Sequence, residues 1–453
     1  MGRVATLVCL LLPPSVVADG PLRVGAAVAD ITPPAGYRMA GSYREVLATG
    51  VNDPLYAKAL YFEQGDARFV LVVCDVCGLD RAMVKAIRDR IAAGLGVPAD
   101  HICVSATHTH GGPMHYDPVF VELFGNPDRH HLGDYPKRFI DGCVTAATDA
   151  KAAARPAALE AGVGSVPGLA FNRRYHMKDG TVRFNPGKRN PGVVRPAGPT
   201  DDRLPVVLVK DAAGRPFAGL TGFAMHVAVY GGRTFSADYP GHLQAALRKT
   251  FGPDFVSVFA EGAAGDVNQV NVTTADKDLS PEEIGGRLAT AFVMAKRAPV
   301  AAKLAVRTGT VRAPLRDDRP DDLEVSRDRL VGPRSKSAEF LEQVEAYRVL
   351  LVHHMRTESG PDRPLPVQAV RLGQDTAVVT LPHEVFVELG LEIARRSPFN
   401  HTLIVTIANE VDCYIPTKKA FAEGSYEVTN SPYKPGVGEL LVQEAVRLLN
   451  ELN

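Results

Sequence analysis

The chain has 453 residues, 45% of them hydrophobic, enough to bury a large core as one big domain or two moderate ones. Lys plus Arg and Asp plus Glu each total 51, so there is neither a basic footprint for a phosphate backbone nor an acidic tail. Nucleic acid is excluded as a partner on that ground.

At the amino terminus Arg3 precedes an apolar run from Val4 to Leu12 and a small-residue exit with Val16 and Ala18. This is the layout of a secretory signal peptide over residues 1–18, and the run is too short to span a bilayer. No later stretch is long and apolar enough for a transmembrane helix, so a soluble protein, secreted or periplasmic, is expected. Cys9 lies in this leader, and the five cysteines beyond it are an odd number that makes no disulfide framework.

The stretch AKALYFEQGDARFVLVVCD, ending at Asp75, reads as two apolar strands around a turn with Gly and Asp. Val84, Ile87, Ile91 and Leu95 follow at helical spacing, with Asp80 as N-cap and Gly94 or Gly96 as the stop. The strand HICVSAT comes next, which makes a strand–helix–strand unit with parallel strands and a right-handed crossover. Cys74 and Cys77 have no second pair to complete a zinc knuckle and read as buried structural thiols.

Residues 173–204, rich in Pro, Gly and basic side chains, show little periodicity and read as a long loop of the functional or disordered kind. The hairpin pattern returns in LPVVLVKDAAGRPFAGLTGFAMH, ending at His226, and in VQAVRLGQDTAVVTLPHE, ending at Glu384. Between these two, residues 317–364 are polar and mostly helical in pattern, and are read as an outer helical insertion. Its adjacent His353 and His354 diverge around a helix and are expected to be solvated. A helix from about Glu384 to Arg395 and the strand TLIVTIAN follow the third hairpin.

The expected fold class is α/β, a mixed β-sheet core with flanking helices and ligands at the carboxyl ends of strands. His108 follows one strand, His226 ends another, Glu384 ends a third and Tyr414 lies just past a fourth, so residues remote in sequence share one rim. His108 and His110 stand two apart in SATHTHGGP and can approach one metal or one substrate. Hydrogen-bonded surface histidines are as common a use of such a pair. The small GGP that follows, which lets a ligand approach the backbone, and the place at a strand end favour the ligand reading. Gly111 and Gly112 stand where a metallo-β-lactamase needs Asp and His, and an amidohydrolase barrel carries its pair on the first strand.

SATHTHGGP, GFAMH, FAEGAAGD, LPHE and CYIPT followed by SYE occur in an order and spacing that resembles the catalytic domain of neutral (non-lysosomal) ceramidases. The blocks DITPPAG and GVNDPLYAKALYF resemble that family's amino-terminal motifs, and the likeness runs from about Val24 to Asn453. It implies a single catalytic domain over 19–453 and a zinc-dependent amidase splitting ceramide, N-acylsphingosine, by attack of metal-bound water. The implied zinc ligands are His108, His226, Glu384 and Tyr414. His110, Arg173 and Tyr426 are implied to contact or polarise the scissile amide. The implied partner is a lipid or other N-acyl small molecule, with which peripheral membrane contact is compatible.

Two imidazoles and a carboxylate suit a catalytic zinc with an open position. A tyrosine ligand is unusual and needs the metal to lower its pKa from near 10. Read singly, Glu384 is a first-turn helix residue and Tyr414 a buried aromatic. Many family members carry a serine in a QSN-x-GD block where this chain has Gly262, so a serine nucleophile is excluded at that position. Full-length relatives also continue into an immunoglobulin-like domain beyond the helix-like GELLVQEAVRLLNELN, so an altered acyl preference is expected here. The alternatives are a zinc hydrolase of another acyl amide or ester, or a catalytically silent metal-containing binding protein.

Overall fold

The structure, a computed structural model, describes residues 20–114, 117–125, 134–317, 319–336, 338–411 and 413–453. The expected signal peptide lies outside the described residues. One local pattern, a hairpin, a helix and a returning parallel strand, is used three times and positions most of the site. In the first unit the strands Tyr56–Gln64 and Ala67–Cys74 pair antiparallel, and Gly65, at φ +55°, lets the chain reverse between them. Helix Arg81–Leu95 starts where the Asp80 side chain accepts from the Met83 amide and stops at left-handed Gly96. It buries Met83, Val84, Ile87, Ile91 and Leu95, and returns the chain to strand Ile102–Ala106, parallel to Ala67–Cys74.

The second unit repeats this with Arg203–Asp211, Pro216–Phe223, helix Asp238–Phe251 and strand Val256–Glu261, the last parallel to Pro216–Phe223. The third uses Asp362–Gly373, Thr376–Thr380, helix Val387–Arg396 and strand His401–Val405. Among the described residues nine strands form the larger sheet, with the first unit at one end and the second at the other. The third unit and strand Ala302–Pro314 form a four-stranded sheet. The two sheets share a dry layer in which Leu71, Val73, Val258 and Ala260 meet Val370, Val378 and Leu403.

Coiling of the larger sheet brings Val256–Glu261 back against Tyr56–Gln64 and Ile102–Ala106. Main-chain bonds then tie the three units together at their strand ends. Thr406 N donates to Glu261 O at 2.9 Å, Ala106 N to Ile407 O at 3.2 Å, and Asn409 N to Val104 O at 2.6 Å. The mixed α/β fold is therefore present, and its strand ends meet at one place.

Three local expectations change. Glu384 and Val385 are not helical: they pair in parallel with Tyr414 and Ile415, and the helix begins at Val387 after extended Phe386. The parallel pairing holds the segment extended, with the Glu384 and Phe386 amides bonded to Cys413 O and Ile415 O. Within 173–204, Arg174–Met177, Val182–Phe184 and Val193–Pro196 form a small sheet, its strands too short to show alternation in sequence.

Helix Phe340–Ser359 is no outer decoration. It buries Ala346, Tyr347, Leu350, Leu351 and Met355 in one cluster with Leu365, Val379 and Ile393. His354 pairs with Glu122 at 2.7 Å.

Candidate metal centre

His108 lies two residues beyond its strand and takes a left-handed backbone at φ +67°, an uncommon conformation for a residue with a side chain. The turn points its ring back toward the first unit, where Nδ1 donates to Cys77 O at 2.7 Å. His226, three residues beyond its own strand, donates from Nδ1 to Ala264 O at 3.0 Å. Each imidazole is thus oriented by a backbone carbonyl and presents Nε2, the arrangement typical of a metal-binding histidine.

Both Nε2 atoms converge on the Glu384 carboxylate. His226 Nε2 lies 3.0 Å and His108 Nε2 3.5 Å from Glu384 Oε2. All three atoms are buried, and none makes a hydrogen bond of proper geometry. One ligand atom from each residue falls within 4.8 Å of the others. Buried polar atoms are otherwise nearly always paired, so three orphans facing one point are suited to a cation. Burial would raise the Glu384 carboxyl, but His108 and His226 outweigh it and hold the group well below the usual range. Burial, aided by the Arg173 charge, pushes His226 down to about 4, which leaves it neutral as a ligand must be.

A second trio, Cys77, His108 and His110, is also within ligand reach. Cys77 Sγ approaches His108 at Nδ1, 3.7 Å away, and that nitrogen is already committed to a carbonyl. The first trio fits a metal better for that reason. Cys77 departs from the reading as a buried thiol: it is half-buried and lines a cavity that reaches His108 and Glu384. Cys74, Cys103, Cys143 and Cys413 are buried, and no disulfide joins the described cysteines.

Tyr414 stands beside Glu384 because the two are direct partners in the parallel ladder. Its ring stacks at 11° on that of His226, with centroids 6.5 Å apart, and its hydroxyl is 3.3 Å from Tyr426 Oη. The Arg173 guanidinium lies 5.3 Å from the Tyr414 ring centre and 5.8 Å from that of Tyr426. Arg173 is fixed by Glu427 at 2.9 Å and Gly265 O at 2.7 Å, and Arg174 bonds the other Glu427 oxygen at 3.0 Å. His110 sits at the wall, its ring centroid 5.0 Å from His108 and 5.7 Å from His226. Burial and the two neighbouring imidazoles hold its pKa well below the ordinary value.

His110, His226, Arg173, Tyr414 and Tyr426 line one cavity of about 650 Å³, and His108 and Glu384 line a smaller one that shares Gly41 with it. All seven residues singled out from sequence therefore gather around one place. Gly262 does not line either cavity. It packs against the backbone of Phe223 and Ala224, where a Cβ would come within 3.1 Å of Ala224 N.

Sequence reasoning missed three groups here. Glu261 is buried with Oε1 3.9 Å from His226 Nδ1; burial pushes its carboxyl up to about 8, opposed by His108 and aided by Glu384. Glu427, next to Tyr426 in the SYE motif, holds both arginines. Tyr43, in a segment without periodicity, reaches the cavity and lies 3.2 Å from Tyr426 Oη. Glu427 and Glu261 had a signal, their places inside the SYE and FAEGAAGD motifs, and Tyr43 had none.

Residues 22–281 match the family described as neutral/alkaline non-lysosomal ceramidase, N-terminal. The chain is 26% identical over 275 residues to neutral ceramidase A of Dictyostelium discoideum, covering 55% of this chain and 36% of that protein. Neutral ceramidase B of the same organism is 25% identical over 290 residues, covering 58% and 38%. The match thus spans little more than a third of the length of these relatives. The crystal structure of neutral ceramidase from Pseudomonas aeruginosa shares the fold, with a TM-score of 0.72 at 21% identity, covering 96% of this chain and 75% of that one. A structure of a ceramidase complexed with C2 gives a TM-score of 0.73 at 20% identity with the same coverage.

Proposed function

The chain belongs to the neutral/alkaline non-lysosomal ceramidase family, and from that premise we propose that it is an exported zinc-dependent hydrolase. Its substrate in this reading is the amide bond of ceramide or a related N-acyl lipid. The observation that carries the reading is the convergence of two orphaned imidazole nitrogens and one orphaned carboxylate oxygen in a buried site. His108, His226 and Glu384 would hold the metal, with the Tyr414 phenol beside them. Zinc suits a two-histidine, one-carboxylate donor set; bound there it supplies Lewis acidity, which polarises a carbonyl and activates water near neutral pH.

The chain's own residues do the rest. Arg173, locked by Glu427, offers a fixed positive charge to a developing oxyanion without reorganising. Neutral His110 can hydrogen-bond the substrate or its attacking water at the cavity wall. The Tyr426 hydroxyl can donate to the oxyanion or to the departing amine. General acid–base help of this kind is worth about two to four powers of ten in rate. Phe184 and Phe340 give the cavity an apolar side for an acyl chain. Asn268, Gln269 and Gln343 give it a polar side, which also supports a second reading as a hydrolase of a more polar acyl amide or ester.

The test couples zinc analysis of the purified protein to an amide and ester hydrolysis panel. Ceramide turnover with about one zinc per chain, and loss of both in His226→Ala, is the expected result. His110→Ala should keep its zinc and lose turnover. Full zinc occupancy in His226→Ala would refute the ligand assignment, and metal without any turnover would favour a silent binding protein.

A further inference from the structure

Tyr43 reaches the cavity from a segment that lies far from the metal-binding motifs in sequence. The segment is anchored beside the HTHGGP turn, where Ala40 N donates to Gly112 O at 3.0 Å and Met114 N to Arg38 O at 2.9 Å. Gly41 makes the approach possible: it takes φ +83°, and a Cβ there would sit 2.5 Å from His110 Nδ1. The Tyr43 ring then packs edge-on against Tyr347, centroids 5.4 Å apart, and against Phe340 at 6.1 Å. Its hydroxyl oxygen accepts from Asn430 Nδ2 at 2.8 Å and lies 3.2 Å from Tyr426 Oη.

An amide N–H can only donate, so the Tyr43 oxygen accepts from Asn430, which leaves its own O–H able to donate to Tyr426. In that direction Tyr426 Oη has a lone pair engaged, and its proton is directed away from Tyr43, toward Tyr414 or a group in the cavity. We propose that Tyr43 is a positioning residue that, through the relay Asn430 to Tyr43 to Tyr426, aims the Tyr426 hydroxyl at the substrate. The inference rests on the reading of Tyr426 as a group that touches substrate. Nothing in Tyr43 needs to contact the metal ligands: its hydroxyl bonds Tyr426 and Asn430.

A double-mutant cycle tests this, because a residue that acts only through another has no effect once the other is gone. Tyr43→Phe, Tyr426→Phe and the double variant keep every ring and remove only hydroxyls. Two readouts are taken on zinc-loaded protein: turnover of a short-chain ceramide, and calorimetric binding of octanohydroxamate. Tyr43→Phe should lower kcat and hydroxamate affinity by about 3- to 10-fold, the range spanned by one hydrogen bond. KM should change little, and the double variant should be no worse than Tyr426→Phe alone. Asn430→Ala, which removes the group orienting Tyr43, should lower both readouts in the same direction. The absorbance spectrum of the cobalt(II)-substituted protein should be the same in Tyr43→Phe and the wild type. Additive losses in the cycle, or a changed cobalt spectrum, would overturn the proposal. A wild-type protein that binds the hydroxamate but leaves ceramide intact would sink the ceramidase reading, and the binding cycle would still decide the role of Tyr43.

Discussion

At the scale of single residues, the site depends on side chains held in uncommon backbone conformations. His108 at φ +67° carries one of the converging donor nitrogens, and Gly41 at φ +83° makes room for the His110 ring. A methyl group at Gly41 cannot be accommodated without moving His110 or the backbone. Gly41→Ala should therefore cost about 1–3 kcal/mol of stability. It should also depress turnover while zinc content stays at the wild-type level, since none of the three metal-facing atoms touches Gly41. Denaturant unfolding and metal analysis on the same preparation check both halves. Unaltered turnover would show that His110 is not needed where the structure places it.

At the scale of elements, the helix Phe340–Ser359 joins core to cavity. Its middle is buried with Leu350 fully enclosed, while Phe340, at its first turn, is 48% exposed and lines the cavity. One helix therefore both stabilises the third unit and shapes the entrance. Leu350→Ala should destabilise the protein by about 2–5 kcal/mol, the cost of a cavity in a close-packed core. An outer insertion would lose well under 1 kcal/mol, so the unfolding midpoint distinguishes the two. The short helix Tyr426–Asn430 works in a similar way: Tyr426 and Asn430 face the cavity group, while Glu427 between them is buried against Arg173 and Arg174. Removing the Glu427 carboxylate would leave the buried Arg173 guanidinium without its ion-pair partner, whereas Arg174 would keep Glu423.

At the scale of the molecule, the three converging donor atoms of His108, His226 and Glu384 come from all three repeated units, while the apolar clusters of those units are built from other residues. Each helix covers its own sheet face, and the layer between the two sheets holds no ligand residue. Chelation should therefore remove activity and lower the melting temperature by about 5–10 °C, the linkage energy of a tightly bound ion spread over a domain of this size. The far-UV circular dichroism at 25 °C should stay unchanged. Cooperative loss of that signal on chelation would mean that the metal holds the units together.

The mixed α/β fold was legible in the sequence because its determinants are local. Three apolar hairpins each end in a polar residue, and helix Arg81–Leu95 carries its cap, stripe and stop within one short stretch of chain. The seven candidate site residues were legible through their motifs, and the matched family lies over the same stretch for the first part of the chain. Tertiary structure alone decided that Glu384 is a strand residue, because its amide bonds go to a segment some thirty residues later. It alone decided that residues 173–204 form a small sheet, and that Tyr43 stands at the site. Periodicity and caps report a residue's near neighbours; the coiling of the larger sheet, which brings Glu261, Thr406 and Ala106 together, depends on contacts across hundreds of residues, and no local pattern carries them.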